Sequence, residues 1–585
     1  MVNQLEKMRH SCSHVLAAAV LTLYPKTKLG IGPAIENGFY YDFDLPRPIS
    51  EKHLEKIAAL MDQIIKKKIP FKKEEVLIKK AREIFKNQPF KLELINDLAK
   101  EGAKKVSLYW TGDPSTGSGQ VFVDLCAGPH VTNTSKIGPF KLLSIAGAYW
   151  RGDEKKEMLT RIYGACFPTQ KQLDDHLKLQ EEAKKRDHRK IGRQLDLFSF
   201  HPEAPGDIFW HPRGLILLHQ LYEYWREEHL KAGYVEVRTP VILTKEIWDK
   251  SGHTTFFIDK MYKVLTPDAK KWNMAIKPMN CDGNILIYKN RQHSYKEFPL
   301  RMGELGVVHR YETSGEVHGI IRLREFTQDD AHIFCTPEQV KEELKAVMAL
   351  CFKFYKTFDL ELDHLELSTR PEKSIGSDEI WEKAEITLTQ ALKEEKVPYK
   401  INKGEGAFYG PKIDFHLRDS LGRTWQCATI QLDFAQPENF DLTYITKEGK
   451  KERPVMIHRV VYGSVERFLG ILIEQCDGAF PVWLSPVQAI VVPITDKHNQ
   501  YGQKIVDQLR EEKVRVELDD RNETASAKIR DAELQKIPYM LVVGDKEVKG
   551  KKVNVRVRGE KVLGSMSLSK FLGLVKEDIA KKRQV

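Results

Sequence analysis

The chain has 585 residues, of which 41% are hydrophobic and 30% charged, and its formal net charge is +11 at pH 7. This length suggests about four domains of roughly 150 residues each. The hydrophobic fraction is large enough for several buried cores. No apolar run approaches the roughly 18 residues that a bilayer-spanning helix needs, so we expect no membrane association.

The positive charge is unevenly distributed along the chain. More than half of the excess lies after residue 485. A polyanionic partner agrees with the net charge, although charge alone does not identify it. The asymmetry favours a tail domain that binds phosphates over a uniformly basic surface.

The cysteines and the first residues bear on the compartment. Eight cysteines are scattered without regular spacing, which indicates a reducing environment. Lys7 and Arg9 precede the apolar run 15–23 and imitate a short secretion signal. The residues from Tyr24 onward offer no small-residue cleavage site, so we expect a cytoplasmic protein rather than a secreted one.

Residues 1–169 mix helical periods with short strands and form the first predicted domain. His10 and His14 stand four residues apart, so they share one face of a helix. Cys126 and His130 also stand four residues apart. Two such pairs suit a zinc site, and ordinary burial of the four side chains explains them equally well.

Residues 170–194 are polar and charge-dense, with almost no apolar face. A stretch of this kind is either a solvent-bridging helix or disordered. Helix formers dominate it, and glycine and proline are absent until Gly192. We therefore predict a linker helix.

Residues 195–484 are richer in aromatic and apolar side chains and form the third predicted domain. We expect helices at 215–230 and 337–358 and a strand at 424–434.

The sequence from Leu484 to Pro486 resembles a hinge, and residues 485–585 form the last predicted domain. Strand-like and helical runs alternate in it, which predicts a small α/β domain. The predicted strands and helices are Ala489–Pro493, 500–512, 514–518, 529–535 and Tyr539–Val543.

Three separate segments of the third domain carry possible metal ligands, namely Cys281, His332 and His458. One thiolate and two imidazoles suit zinc, and three protein ligands leave coordination positions free for a substrate. The gaps of 51 and 126 residues match no local metal motif. Burial of each residue in a packed core is therefore the alternative.

Five strings occur in a fixed order along the chain: KPMNC, FTQDDAHIFCT, GEGAFYGPKIDF, WQCATIQLDF, and VMIHR with GSVERFLGIL. Together they resemble the threonyl-tRNA synthetases, which are class II aminoacyl-tRNA synthetases, over essentially the whole chain. The resemblance implies an α+β multidomain fold whose antiparallel class II sheet is flanked by helices. It implies four parts: an N-terminal α+β editing domain (1–169), a linker helix (170–194), the catalytic domain (195–484) and a C-terminal α/β anticodon-binding domain (485–585).

The implied activity is ligation of L-threonine to tRNA. Threonine and ATP would give threonyl-adenylate and pyrophosphate, and the threonyl group would pass to the 3′ end of tRNA(Thr). Many members of the family carry a further small N-terminal domain, which we expect to be absent here.

Three short class II motifs have counterparts in the sequence. The first, residues 233–240, ends in Pro240 and implies a homodimer interface. The second is Arg310-Tyr311-Glu312, and the third runs from Gly463 to Arg467. Alone, the last two would indicate only a salt bridge and a helix start, so their value lies in their position among the candidate metal ligands.

The resemblance assigns the threonine end of the pocket. Cys281, His332 and His458 would hold one zinc ion per chain, which binds the amino and hydroxyl groups of threonine. Asp330 would accept the ammonium group. Valine lacks the hydroxyl, so a site of this kind rejects it.

The resemblance also assigns the ATP end. Arg310 would contact the α-phosphate, Glu312 the adenine amino group and Arg467 the γ-phosphate, with Mg²⁺ bridging the phosphates. Seven further positions match family residues that line the pocket: Met279, Gln328, Tyr409, Lys412, Gln426, Thr429 and Ser464.

The N-terminal segments resemble the editing domain of the same family, which hydrolyses serine wrongly esterified to the tRNA. Serine keeps both groups that the zinc would bind, and one missing methyl group is worth only about 1–3 kcal/mol, so a second sieve is required. Six positions match that domain: His10, His14, Lys91, Asp124, Cys126 and His130. Whether they bind a metal stays open.

In the tail, four positions match residues of the family that read anticodon bases: Asn522, Lys536, Glu547 and Arg556. Single-stranded loop bases are read by hydrogen bonds to their exposed edges and by stacking. Lys536 replaces an arginine, which weakens any bidentate contact. A charged surface without such a role is the alternative.

Three positions depart from the family pattern. Asp282 and Asn284 stand where proline and histidine are usual, and we expect the helix to survive because aspartate suits a first turn. Ala428 stands where glycine is usual and would add one methyl group beside the substrate.

Two other functions compete with this interpretation. A class II synthetase for serine or proline would not need the Cys281, His332 and His458 set. A paralogue retained for RNA binding or regulation would not need Arg310 and Arg467.

Overall fold

The computed structural model describes residues 4–112, 122–153 and 155–584. Its contacts divide the chain into two compact units, Met1–Glu181 and Glu182–Val585. Each unit has its own hydrophobic core. The division falls inside the segment that was predicted to link two domains.

The first unit combines helices with short antiparallel strands, as predicted. Its elements in chain order are α1 Gln4–Leu23, β1 Lys28–Leu29, β2 Ala34–Ile35, β3 Gly38–Asp44, α2 Leu54–Lys66, β4 Phe71–Leu77, α3 Ile78–Ile84, α4 Pro89–Lys100, β5 Lys105–Thr111, β6 Phe122–Leu125, β7 Phe140–Tyr149 and β8 Met158–Cys166. One sheet has the order β1-β3-β8-β7 with β2 beside β3, and a second has the order β4-β5-β6.

Helix α1 lies at the centre of the first unit. Its apolar positions Met8, Cys12 and Leu16 recur every four residues and are buried. The apolar run 15–23 that imitates a secretion signal belongs to this helix, which packs against α2 and β3. The side chains from Val15 to Leu21 therefore belong to or pack against the core of the unit, whereas Leu23 is exposed.

The predicted linker helix is two helices, α5 Gln170–Lys185 and α6 His188–Gln194. The break has a local cause, because the side chain of Asp187 accepts a hydrogen bond from the backbone N–H of Arg189 and caps α6. Helix α6 also buries His188 and Ile191. The prediction of one fully solvated helix was therefore wrong for its second half.

The next segment builds the central sheet and the helices around it. Its elements are β9 Phe198–Ser199, β10 Phe209–Trp210, α7 Pro212–Lys231, β11 Val235–Glu236, β12 Ile242–Thr244, α8 Lys245–Ser251, α9 His253–Phe256, β13 Lys263–Val264, β14 Met274–Ile276, α10 Cys281–Lys289, β15 His293–Ser294, β16 Leu300–His309, β17 Glu325–Cys335, α11 Val340–Thr357, β18 Glu361–Ser368, α12 Asp378–Glu394, β19 Tyr399–Asn402, β20 Lys412–Arg418, β21 Thr424–Asp433, α13 Ala435–Asn439, β22 Tyr444–Ile445, β23 Lys451–Glu452, β24 Val455–Val460 and α14 Val465–Gln475.

Eight strands form one sheet in the order β11-β16-β17-β24-β21-β20-β18-β19. The pairings are antiparallel except at the two ends, where β11 pairs with β16 and β18 pairs with β19 in parallel. Apolar side chains of α7, α11, α12 and α14 pack in one core with the sheet. The predicted antiparallel sheet flanked by helices is confirmed.

The last hundred residues form a smaller α/β arrangement, as predicted. Its elements are β25 Ala489–Pro493, α15 Asn499–Glu511, β26 Val516–Leu518, α16 Ala525–Leu534, β27 Tyr539–Val543, α17 Asp545–Gly550, β28 Lys552–Val557, β29 Lys561–Ser567 and α18 Leu568–Ala580. The sheet order is β26-β25-β27-β28-β29, with its first three strands parallel and the rest antiparallel.

Among the described residues, no helix combines the length and the apolar character that crossing a membrane requires.

Candidate active site

A cavity of about 820 Å³ opens on one face of the central sheet. Gln328, Asp330 and His332 alternate along β17, so their side chains share that face. All fourteen catalytic-domain positions that the resemblance indicated line this cavity: Met279, Cys281, Arg310, Glu312, Gln328, Asp330, His332, Tyr409, Lys412, Gln426, Thr429, His458, Ser464 and Arg467. Residues separated by up to 188 positions in the sequence are thus brought to one cavity.

The three candidate zinc ligands lie on three different elements. His332 on β17 and His458 on β24 are direct partners in the antiparallel register, and their ring centroids are 4.9 Å apart. Cys281 is the first residue of α10. The candidate ligand atoms of these three residues do not all lie within 4.8 Å of one another, whereas those of other groups among the described residues do.

The environment of His332 fits a metal nevertheless. Both of its ring nitrogens are buried and have no hydrogen-bond partner among the described residues. Burial lowers its pKa well below the ordinary value, so the ring is neutral and has a lone pair to donate. The Nε2 atom of His458 lies 2.8 Å from Oδ2 of Asp433, a residue of the string WQCATIQLDF that was not among the candidate site residues. Such a partner orients an imidazole ligand.

Asp330 is held by a neighbour that does not itself line the cavity. Nδ2 of Asn280 donates to Oδ2 of Asp330 at 3.2 Å. Asn280 in turn lies over Gly306 on β16, where a Cβ atom would come within 2.3 Å of Oδ1 of Asn280. Burial raises the pKa of Asp330 to about 6. The buried carboxyl is therefore poised to gain from a cationic ligand.

Two of the arginines that line the cavity, Arg310 and Arg467, are held in place by hydrogen bonds to backbone carbonyls. Nε of Arg310 donates to the carbonyl of Pro278 at 3.1 Å, and its guanidinium lies over the ring of Phe326. Nε of Arg467 donates to the carbonyl of Ile321 at 3.0 Å. These contacts set the plane of each guanidinium at the cavity wall. Planar, fixed guanidinium groups suit bidentate contacts to phosphate.

Glu312 is paired rather than free. Its Oε2 atom lies 2.9 Å from Nζ of Lys260 and 2.9 Å from Nη2 of Arg322. Both cations were absent from the motifs, and Arg322 lines the cavity. The ion pairs restrict the carboxylate of Glu312, so that it can accept a hydrogen bond from a ligand only in a fixed direction.

A hydrogen-bonded row connects the polar side chains of β20 and β21. Oδ1 of Asp414 accepts from Nε2 of Gln426 at 2.6 Å and from Oγ1 of Thr429 at 2.9 Å, and Oδ2 pairs with Lys412. The ring of Tyr409 stacks on that of His458 at 4.8 Å. Asp414 belongs to the string GEGAFYGPKIDF, but the sequence did not indicate its central place in this row.

The two departures in α10 are buried and bonded. Asp282 lies in the first turn, with Oδ2 at 3.4 Å from Nδ1 of His253, and burial raises its pKa to about 7. Nδ2 of Asn284 donates to the carbonyl of Asn280 at 3.2 Å. The expectation that the helix survives these residues is confirmed.

The expectation for Ala428 was wrong. Its side chain belongs to the main core, and its backbone N–H donates to the hydroxyl of Tyr355 at 3.0 Å. It is not among the residues that line the cavity. Alternation along β21 explains this, because Cys427 and Thr429 flank it and line the cavity instead.

A second cluster forms in the first unit. The ligand atoms of His10, His14, Cys126 and His130 all lie within 4.8 Å of one another. The Sγ atom of Cys126 is 3.3 Å from Nε2 of His10 and 3.3 Å from Nε2 of His130. The helix α1 and the segment after β6 thus bring the two predicted pairs together.

Burial keeps the side chains of this cluster uncharged. It raises the pKa of the Cys126 thiol to about 12 and lowers the pKa values of His10, His14 and His130. Repulsion between the imidazoles adds to the effect at His130. The cluster therefore contains neutral imidazoles at neutral pH, which can accept a proton or bind a metal.

Lys91 and Asp124 adjoin the same cluster. Nζ of Lys91 is 2.5 Å from Oδ1 of Asp124, and both side chains are almost fully buried. Oδ2 of Asp124 accepts from the hydroxyl of Tyr41 at 2.6 Å and lies 3.6 Å from Nε2 of His14. All six editing candidates are thus adjacent, and Tyr41 is a partner that the sequence did not indicate.

The four anticodon candidates do not contact one another through any hydrogen bond or ion pair recorded among the described residues. Asn522 is exposed. Nζ of Lys536 lies 2.9 Å from Oδ2 of Asp477, outside the last hundred residues. Glu547 accepts the backbone N–H of Gly544, and Arg556 lies on β28. The structure therefore leaves their base-reading role a prediction.

Three family models match the chain. Residues 262–476 match the tRNA synthetase class II core domain (G, H, P, S and T). Residues 488–578 match the anticodon binding domain, and residues 106–163 match the threonyl and alanyl tRNA synthetase second additional domain.

Individual relatives match over nearly the full length. The chain is 55% identical over 577 residues to a threonine–tRNA ligase of Carboxydothermus hydrogenoformans, covering 98% of this chain and 89% of the relative. It is 54% identical over 576 residues to that of Desulforamulus reducens, covering 98% and 88%. Among solved structures, the RNA binding domain of threonyl-tRNA synthetase from Cryptosporidium parvum Iowa II matches with a TM-score of 0.64 and 39% identity, covering 67% of this chain and 98% of that one. With these matches, the chain belongs to the threonine–tRNA ligase family of class II aminoacyl-tRNA synthetases.

Proposed function

We propose that this protein ligates L-threonine to tRNA(Thr) at the expense of ATP and hydrolyses seryl-tRNA(Thr) in its first unit. The observation that carries the proposal is the single cavity that contains both fixed arginines and the His332–His458 pair. One end of this cavity suits a polyphosphate and the other suits an amino acid with a polar side chain.

At the phosphate end, activation is an in-line attack of the threonine carboxylate on the α-phosphorus, with pyrophosphate as the leaving group. This chemistry asks the protein for positioning and for neutralisation of developing charge. Arg310 would contact the α-phosphate and Arg467 the γ-phosphate. Mg²⁺, when bound with ATP, supplies further neutralisation of the phosphates.

Glu312 would accept a hydrogen bond from the adenine amino group. Its two ion pairs support this role, because Lys260 and Arg322 hold the carboxylate in one orientation. Gln328, Lys412, Gln426, Thr429 and Ser464 would line the same pocket. Lys412, Gln426 and Thr429 share the carboxylate of Asp414, which fixes them relative to one another.

At the amino acid end, Cys281, His332 and His458 would hold a zinc ion. The unpartnered nitrogens of His332 and the donor set of one sulfur and two nitrogens fit this metal. When bound, zinc supplies open coordination positions for an amine and a hydroxyl group. Asp330, positioned by Asn280, would take the ammonium group. Met279 and Tyr409 would close the pocket around the threonine side chain.

Discrimination against serine needs the first unit, because serine presents the same polar groups as threonine. The loss of one methyl group provides only about 1–3 kcal/mol. Neutral His10 would accept a proton from a water molecule that attacks the ester carbonyl and would return it to the leaving ribose oxygen, so that serine and free tRNA are released. Lys91, held by Asp124, would orient the ester, with Cys126 and His14 completing the pocket.

The remaining parts would serve tRNA binding and assembly. Residues 1–169 would form the editing domain, 170–194 the linker, 195–484 the catalytic domain and 485–585 the anticodon-binding domain, with Asn522, Lys536, Glu547 and Arg556 as base contacts. Around the first class II motif, Leu230, Val235 and Ile242 are exposed apolar side chains, which supports a homodimer interface there. All eight cysteines are unpaired, which supports a cytoplasmic location.

ATP–pyrophosphate exchange with a panel of amino acids tests the proposal. Threonine-dependent exchange would support it. Exchange with serine or proline alone would reassign the substrate, and exchange with none of the amino acids would indicate an RNA-binding paralogue.

A further inference from the structure

A second group of potential metal ligands lies on the central sheet, outside the cavity described above. The ligand atoms of His364, Glu366 and His416 all lie within 4.8 Å of one another. None of the three is among the residues that line the cavity. Their side chains are 15%, 21% and 18% exposed, so a solvated ion can reach them.

The strand geometry places the three side chains together. His364 and Glu366 alternate along β18 and therefore share one face of the sheet. His416 on β20 is the direct register partner of His364, and the two rings stack at 4.5 Å with an interplanar angle of 3°. Irregularities of the register beside His364 and His416 mark both strands as locally distorted at this point.

The hydrogen bonds leave the three ligand atoms facing one another. Nδ1 of His364 is 2.6 Å from Oδ2 of Asp363, so Asp363 favours the tautomer with the proton on Nδ1. The Nε2 atom of His364 is then an acceptor, yet it lies 3.2 Å from Oε1 of Glu366, which is also an acceptor. Such a pair of acceptors needs a cation or a proton between them.

His416 repeats the pattern from the opposite strand. Its Nε2 atom lies 3.5 Å from Oε2 of Glu366 and makes no hydrogen bond to any residue that the structure describes. Burial lowers the pKa of His416, which favours the neutral ring. Asn402 donates to Oε2 of Glu366 at 3.0 Å and holds the carboxylate between the two rings.

We propose that His364, Glu366 and His416 bind a divalent transition-metal ion such as Zn²⁺. Two imidazoles and one carboxylate are a ligand set that zinc accepts with positions left for water. Asp363 contacts His364 and Asn402 donates to Glu366, and these contacts fix the orientation of the ligand side chains. The ion would tie β18 to β20 beside the row formed by Lys412 and Asp414, and this site is independent of Cys281 and of the cluster in the first unit.

The test is the number of zinc ions bound per chain. The full-length protein, Glu366→Gln and His416→Gln are equilibrated with Zn²⁺ by dialysis, and bound metal is measured by mass spectrometry. Lys393→Gln, at an exposed position of α12, is the control. We expect each ligand variant to bind one ion fewer than the wild type, and the control to bind the same number.

Equal counts in the wild type and in both ligand variants would overturn the proposal. Because the other candidate metal sites are unchanged in every variant, the difference isolates this site. If a variant fails to fold, anomalous diffraction at the zinc edge from wild-type crystals equilibrated with Zn²⁺ decides. A peak among the three side chains supports the site, and its absence refutes it.

Discussion

His332 and His458 face each other directly across the β17–β24 pairing, with ring centroids 4.9 Å apart. Both nitrogens of His332 are buried without a hydrogen bond to any described residue. Mutation of His332 should therefore remove a function rather than a hydrogen bond within the protein.

His332→Ala should lose one zinc ion per chain together with threonine activation. Even mutations behind a metal ligand cost about 10–100-fold, so loss of a ligand should lower threonine-dependent exchange by about 100-fold or more. Zinc content and exchange are measured in parallel. His201→Ala, at an exposed histidine, is the control. Wild-type zinc content and wild-type exchange activity in His332→Ala would contradict the role of His332 as a metal ligand.

Arg310→Lys should slow adenylate formation. Lysine keeps the charge but not the bidentate geometry, and loss of one fixed donor to developing charge costs about 10²–10³ in kcat. Stopped-flow or exchange kinetics should show a lower kcat with a nearly unchanged KM for threonine. Arg291→Lys, a solvent-exposed arginine, should behave as the wild type. An unchanged kcat in Arg310→Lys would contradict the phosphate assignment.

His10→Ala should leave aminoacylation with threonine intact while seryl-tRNA accumulates. Without the second site, serine is rejected only by the roughly 10–200-fold that one methyl group provides. Charging of tRNA(Thr) with labelled serine measures the effect. His53→Ala, at a half-buried histidine of the same unit outside the cluster, is the control. Seryl-tRNA at the wild-type level in His10→Ala would reject the editing assignment.

Glu466→Gln should become more stable relative to the wild type as the pH rises. Burial raises the pKa of Glu466 to about 7, above its ordinary value of 4.5. Between these two values the folded protein keeps a proton that the unfolded chain releases. The free energy of unfolding of the wild type therefore falls with rising pH, by about 1.4 kcal/mol for each step of one in pH. Melting temperatures of both proteins from about pH 5 to about pH 8 measure this. A difference independent of pH would contradict the buried, protonated state.

Arg556→Ala should weaken tRNA binding and leave adenylate formation unchanged. A lost base contact is worth about 1–3 kcal/mol, so the KM for tRNA should rise by about 10-fold or more. Arg530→Ala, an exposed arginine of α16, is the control for a general loss of positive charge. Equal effects of the two variants would indicate a purely electrostatic surface.

The sequence predicted what depends on local patterns. The helix at 215–230 corresponds to α7 and the strand at 424–434 corresponds to β21, because their periodicity and composition are local properties. The motif residues were identified through the resemblance, and the structure places them around one cavity.

What the sequence could not predict depends on strand pairing over long distances. Asp433 contacts His458 and Asp414 joins Gln426 only because the sheet order brings their strands together. Strand pairing also explains the error at Ala428. The direction of its side chain depends on which face of β21 it occupies and not on its neighbours in the motif. The break before α6 depended on one capping side chain, Asp187, within a stretch that otherwise favours a helix.

Gly306 does not line the cavity, yet the position of the Asp330 carboxylate depends on its missing side chain. A single methyl group there would collide with Asn280, which orients the Asp330 carboxylate. A substitution at Gly306 should therefore change the position of the Asp330 carboxylate from behind the cavity wall. A redesign of the amino acid pocket should therefore keep glycine at position 306 of β16, whichever residues lining the pocket are changed.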